Sequence, residues 1–250
     1  MSTSATPAAV EPQQPLSESS RIINTFIAPS QTFTDLKRKS SWWVPYLLLA
    51  IMTIAVAFAA SQKVGWEQLN ENQLKLNPKR AAQMENMPAP DRARAQQMGV
   101  VITKAISYGF PLLLLIGLAT YAGILLFTFN FGAGAAIGYS TALAVVVYAS
   151  LPELMRSLLT VIFLYAGVVS PEGFVLQNPI GSNLAALTTP GTAMYVLASG
   201  VDVFRIWSIV LTAIGFTYVS RVKRGTSFAI VCAYSAILTL FFAGITALTS

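Results

Sequence analysis

A chain of 250 residues that is 54% hydrophobic and only 10% charged is not that of a water-soluble domain, in which about a quarter of residues carry charge. The net charge of +6 comes from Lys and Arg scattered in short segments beside long apolar runs, a pattern that suits membrane orientation and excludes a nucleic-acid surface. Without histidine, and with Cys232 as its one cysteine, the chain excludes an internal disulfide and a Cys/His metal site.

Met1 to about Pro15 is rich in Ser, Thr, Ala, Pro and Gln, with Glu11 its single charge, and is expected to be a disordered tail. It lacks the basic and apolar regions of a cleavable signal peptide. From Ser17 to Lys39, Ile22, Ile23, Phe26 and Ile27 recur at helical spacing, Ala28-Pro29-Ser30 interrupts, and Phe33 and Leu36 resume. Two short amphipathic helices ending in Lys37-Arg38-Lys39 are expected, suited to the surface of an anionic leaflet. Residues 1–40 are therefore set apart from a transmembrane domain over 41–250.

Five apolar segments follow. Trp43–Ala60 has 18 residues, about 27 Å of helix, and its Trp42-Trp43 start fits an interfacial aromatic belt. Tyr108–Phe129 is free of charge. Gly138–Val169 is interrupted by Pro152, Glu153 and Arg156, and Val203–Ser220 carries Arg205 near its start. Thr226–Leu248 is again free of charge, and Cys232, lying within it, is expected to be a buried, inert thiol. Between the first two spans, residues 61–104 form a polar extramembrane loop broken by Pro78, Pro88 and Pro90, helical from Asp91 into the second span. The fold class expected is an all-α polytopic transmembrane bundle of about five spans, the third kinked at Pro152.

The positive-inside rule places both Lys37-Arg38-Lys39 and the Arg221, Lys223, Arg224 turn in the cytoplasm. An odd number of spans satisfies both, with a cytoplasmic N-terminus and the C-terminus outside. One feature resists: the loop between spans one and two carries seven Lys or Arg yet falls outside.

Four charges lie at or near the membrane: Glu153, Arg156, Asp202 and Arg205. Each acid has a base three residues later, so each pair can share one helix side. Ser150-Leu-Pro-Glu153 reads as a helix start with Ser150 as N-cap, and Asp202 can cap the fourth span. Architectural neutralisation is the favoured reading of these charges; the alternative is a polar switch or ligand site between spans three and four.

No catalytic constellation survives. Gly138-Tyr-Ser140-Thr resembles the nucleophile motif of rhomboid-type proteases, but no histidine can activate the serine. No lysine lies in a span for Ser-Lys chemistry, and Asp202 alone cannot make an aspartyl dyad. Gly132-Ala-Gly134-Ala-Ala lacks the spacing of a nucleotide-binding loop and reads as a small-residue turn. The chain is expected not to be an enzyme and to hold no cofactor or metal.

Three stretches, Phe26-Ile-Ala-Pro29-Ser-Gln-Thr-Phe33, Val147-Tyr-Ala-Ser-Leu-Pro152 and Asp202-Val-Phe-Arg-Ile-Trp207 through Gly215, resemble the YIP family, the Ypt/Rab-interacting-protein membrane domain. The basic turn Val222-Lys-Arg-Gly225 and the bacterial-type Asn183-Leu-Ala-Ala-Leu extend the resemblance over roughly Arg21 to Leu248. It implies five spans and a cytoplasmic N-terminus in a bacterial cytoplasmic membrane. Eukaryotic members bind Rab-type GTPases and organise secretory membranes; bacterial-type members lack that partner, and the acidic-aromatic Rab-associated motif is not evident here. The expected function is an adaptor or organiser of membrane assemblies, with the bilayer and other membrane proteins or a second copy as partners. The alternative is a small transporter or permease subunit with a polar path at Glu153, Arg156, Asp202 and Arg205.

Overall fold

A computed structural model describes residues 15–249, so all but the last residue of the expected tail lies outside the described residues. Eleven α-helices are described and no strand, although Asn183 and Asp202 form one isolated antiparallel bridge. Five elements are long and apolar enough to cross a membrane: Trp43–Lys63, Ala89–Gly132, Tyr139–Ala166, Val203–Ser220 and Arg224–Leu248. The all-α five-span bundle is the architecture the apolar runs predicted.

The N-terminal segment folds as α1 (Glu18–Ile27) and α2 (Pro29–Leu36), separated at Ala28 because Pro29 cannot continue the ladder of α1. Phe26, Phe33 and Leu36 dock on the bundle, while Ile23 and Ile27 stay outward. Phe33 and Leu36 are fully buried, and Phe26 meets Trp207 edge to face at 5.5 Å. The first span is α3 (Trp43–Lys63), followed by α4 (Trp66–Lys75) and α5 (Pro78–Glu85) in the polar loop. Next, α6 (Ala89–Phe127) is 39 residues long, about 58 Å, and carries the loop directly into the second span.

At its end α6 passes into a π-helical turn, Thr128–Gly132. The small-residue stretch after it is held by Asn130, whose side chain accepts from Ile137 N and donates to Ile137 O. The third span is two helices, α7 (Tyr139–Ala149) and α8 (Pro152–Ala166). Pro152 has no N–H for the Tyr148 carbonyl, which accepts instead from Leu151 N at 3.1 Å, and the span kinks there. Ser150 is not the N-cap expected of it. Leu151 holds that position, and the Ser150 hydroxyl bonds back to Val146 O at 2.9 Å, because α7 continues into this turn and leaves a carbonyl in reach. After α9 (Ala193–Ser199), α10 (Val203–Ser220) and α11 (Arg224–Thr249) complete the chain.

α7 is the central element. All eight residues from Ala142 to Ala149 are buried, and α2, α6 and α10 surround them. Gly215 makes the crossing of α10 possible: a Cβ there would stand 2.5 Å from Val145 Cγ1 and 3.0 Å from the Phe33 ring. Phe129 stacks on Phe216 at 4.4 Å beside it, and the Ser227 hydroxyl ties α11 to Ala213 O.

The ends of the bundle differ. At one, Ser40 shares a 2.7 Å hydrogen bond with Thr141, joining the start of α3 to that of α7. Lys37 lies close to Arg221, and burial together with that neighbouring cation lowers its pKa below the ordinary lysine value. This basic end collects both clusters singled out above. At the opposite end, α4, α5 and residues 167–202 form a folded cover. Asn72 donates to the carbonyls of Pro171 and Phe174, Gln73 and Gln177 exchange hydrogen bonds, and Lys79 reaches Leu248 O. Cys232 is not buried by protein as expected but exposed on α11, because that helix packs through only a narrow stripe.

Gly215→Ala is expected to lower unfolding stability in detergent by about 1–3 kcal/mol, since neither Val145 nor Phe33 has free volume to retreat into. Gly215→Leu is expected to prevent the fold. Thermal unfolding by circular dichroism measures both.

Candidate functional site

The kink at Pro152 starts α8 inside the membrane-spanning segment, which puts Glu153 in its first turn and Arg156 one turn later. The two face each other: Arg156 Nη2 lies 2.6 Å from Glu153 Oε2, both side chains about 30% exposed. Asp202 and Arg205 lie close enough to act electrostatically on Glu153. The four charges therefore gather near the covered end, but they do not form two equivalent ion pairs.

Asp202 is a cap. Its Oδ1 accepts from Phe204 N at 2.9 Å and Arg205 N at 3.1 Å, and its Oδ2 accepts from the Ser182 hydroxyl. Together with the Asn183 bridge, this fastens the 167–202 cover onto the start of α10. Arg205 donates across to Thr239 Oγ1 of α11 at 2.8 Å. The i,i+3 pairing holds for Glu153 with Arg156; for Asp202 with Arg205 it gives way to capping, because the carboxylate satisfies the free N–H groups of the helix start.

The arginines open on separate cavities. Arg156 lines one of about 580 Å³ between α3, α6 and α8, under α4, α5 and the cover. Arg205 lines a second, of about 380 Å³, between α9, α10 and α11. Gln177 contributes to both walls. Neither Glu153 nor Asp202 lines either cavity, and no residue of the basic end does. The single polar path of the transporter alternative, through all four charges, is not formed by these two cavities.

A further charged cluster escaped the reading of the sequence. Arg21, on α1, is fully buried: its Nε donates to Asp35 Oδ2 at 2.7 Å, Nη2 lies 2.7 Å from the same oxygen, and Nη1 reaches Glu18 Oε1 at 3.2 Å. Tyr148 of α7 donates to Glu18 Oε2 at 2.7 Å, and Thr25 and Thr32 both donate to Arg21 O. Burial opposes the charge on Arg21, and the bond and charge of Asp35, with Glu18, outweigh it and leave its pKa above the usual arginine value. The signal available in the sequence was small, a Glu18–Arg21 spacing of three and a lone acid on the apolar face of α2.

The Yip1 domain family matches residues 23–246. This chain belongs to that family. No curated protein and no solved structure matches it. The Yip1 region takes in all four charges at or near the spans and every residue lining the two cavities, whereas Glu18 and Arg21 stand just before it, bonded to Asp35 and Tyr148 within it.

Removing Asp202 by substitution with Ala is expected to cost about 0.5–2 kcal/mol as a lost cap, and to expose the 167–202 cover to limited proteolysis. Arg156→Gln alone is expected to destabilise more than Glu153→Gln/Arg156→Gln together, since the single change leaves a half-buried carboxylate unpaired. A double-mutant cycle on thermal unfolding reads the difference.

Proposed function

We propose that this Yip1-family protein is a non-enzymatic organiser of membrane assemblies, joining other membrane proteins or copies of itself through lateral helix packing. The observation that carries the reading is the unpartnered surface of α11. Ile237, Leu240 and Phe241 stand outward, and 11% of the apolar window of this helix is buried within the chain. A bilayer covers such a face with lipid at no cost, and a neighbouring helix can replace that lipid. The intramembrane charges support the reading because they are bound into local structure: Glu153 holds Arg156, Asp202 caps α10, and Arg205 bonds to Thr239.

The membrane is a bacterial cytoplasmic membrane, with the N-terminus and the Arg221 turn in the cytoplasm and the C-terminus outside. Supporting this is the basic end, where Lys37 lies close to Arg221, so that both cationic clusters flank the spans on one side.

Mild-detergent purification is expected to recover a homo-oligomer or a stable membrane-protein partner. Oxidation in native membranes is expected to yield a disulfide adduct of Leu240→Cys in a Cys232→Ala background, absent from Cys232→Ala alone. Recovery only as a monomer, with no adduct, counts against the organiser. For orientation, alkaline phosphatase is expected to be active when fused in the 62–104 loop and at Ser250, and a fluorescent protein to be bright at Gly225. Equal activity at Gly225 and Ser250 sinks the odd span number.

A further inference from the structure

The 580 Å³ cavity has the size of a small-molecule site and a graded lining. Along its floor, α6 contributes Gly99, Ile102, Ile106 and Phe110, and α3 contributes Val56 and Ala57; Thr103, Ser107 and Thr53 of the same helices also line it, their hydroxyls bonded to Asn70 Oδ1, Thr103 O and Ala50 O. From Ala95 to Phe110 the floor runs about 22 Å, starting under the polar cover and ending inside the second span. Above it, Asn70, Gln73, Asn77 and Gln177 present amides, and Arg80 of α5 stands at the rim. No Asp or Glu lines the cavity, while two arginines do. Arg156 spends one nitrogen, Nη2, on Glu153, and a guanidinium carries five N–H donors. Ile102, Ile106 and Phe110 are 43%, 51% and 44% exposed, so the floor is open along α6.

We propose that this cavity binds one molecule of an anionic amphiphile. Its hydrocarbon chain lies along the α6 and α3 floor, and its phosphate or carboxylate head meets Arg80 and Arg156. A wholly polar solute would leave the Ile102, Ile106 and Phe110 floor in water, and an uncharged apolar one would leave the donors of Arg156 without acceptors. An anion joined to a chain satisfies both ends, and arginine suits either head because its fork matches two oxygens at once. The chain is supplied from the bilayer beside α6, without passing the polar cover. This occupant is independent of the outward face of α11, since none of Ile237, Leu240 and Phe241 lines the cavity.

The test uses the full chain in a non-ionic detergent, followed by native mass spectrometry with four probes: phosphatidylglycerol, phosphatidylcholine, decanoate and inorganic phosphate. Phosphatidylglycerol or decanoate is expected to bind at one per chain, and the preference between them tells a phospholipid from a free fatty acid. Arg80→Gln, at an exposed position, and the charge-neutral pair Glu153→Gln/Arg156→Gln are each expected to weaken binding about tenfold, the loss of one charge-assisted hydrogen bond. Ile106→Trp fills the floor without entering the packed core and is expected to abolish one-to-one binding with the melting temperature unchanged; Ile102→Trp serves if it does not fold. Three results overturn the proposal: binding that none of these variants changes, which marks surface lipid; phosphatidylcholine bound as tightly as phosphatidylglycerol; and inorganic phosphate bound at one per chain as tightly as either amphiphile.

Discussion

The close crossing of α7 by α2 and α10 is the contact on which the rest of the bundle rests. A helix in lipid gains nothing from hiding apolar side chains from hydrocarbon, so association must come from packing and from hydrogen bonds. α7 supplies the packing: all residues from Ala142 to Ala149, mostly alanine and valine, are buried, and Gly215 removes the one side chain that would hold α10 away from Val145 and Phe33. With that distance set, Phe129 can stack on Phe216, Phe26 can reach Trp207, and Ser227 can bond Ala213 O. The N-terminal hairpin is thus part of the packed unit, its Phe33 wedged where two spans meet.

Polar groups bind the unit where packing alone would leave it loose. Arg21 is the extreme case, a fully buried guanidinium between Asp35 and Glu18, with Tyr148 of α7 completing the set. A buried pair of this kind contributes little net stability compared with an apolar filling, but one partner without the other is costly, which fixes the hairpin in a single register. At the opposite end Asp202 has the same role for the 167–202 cover, joining Ser182 and the start of α10 through one carboxylate. Both clasps work over short distances within a protein whose outer surface is left to the lipid.

That outer surface separates the two proposals. α11 shows the bilayer a continuous apolar face, suited to another helix, whereas α6 borders a cavity whose upper wall is polar and cationic. Exposed leucine and phenylalanine mean little in a membrane; an arginine with free donors over an apolar floor means more, because nothing in hydrocarbon can satisfy it.

How much of this the sequence determined follows from the solvent. Hydrocarbon leaves the backbone no alternative to the helix, so length and apolar runs were enough to fix five spans, the kink at Pro152 and the continuous helix from the polar loop into the second span. The Asp202 cap was legible for the same reason, since it involves residues within three positions of each other. Tertiary structure decided everything that joins distant residues. Arg205 turned from Asp202 to Thr239, 34 positions on; Arg21 found Asp35; and Arg156 came to line a cavity with Arg80. Periodicity tells which residues share a helix face but not which helix that face will meet, and the choice among partners is made by packing volumes such as the missing side chain at Gly215.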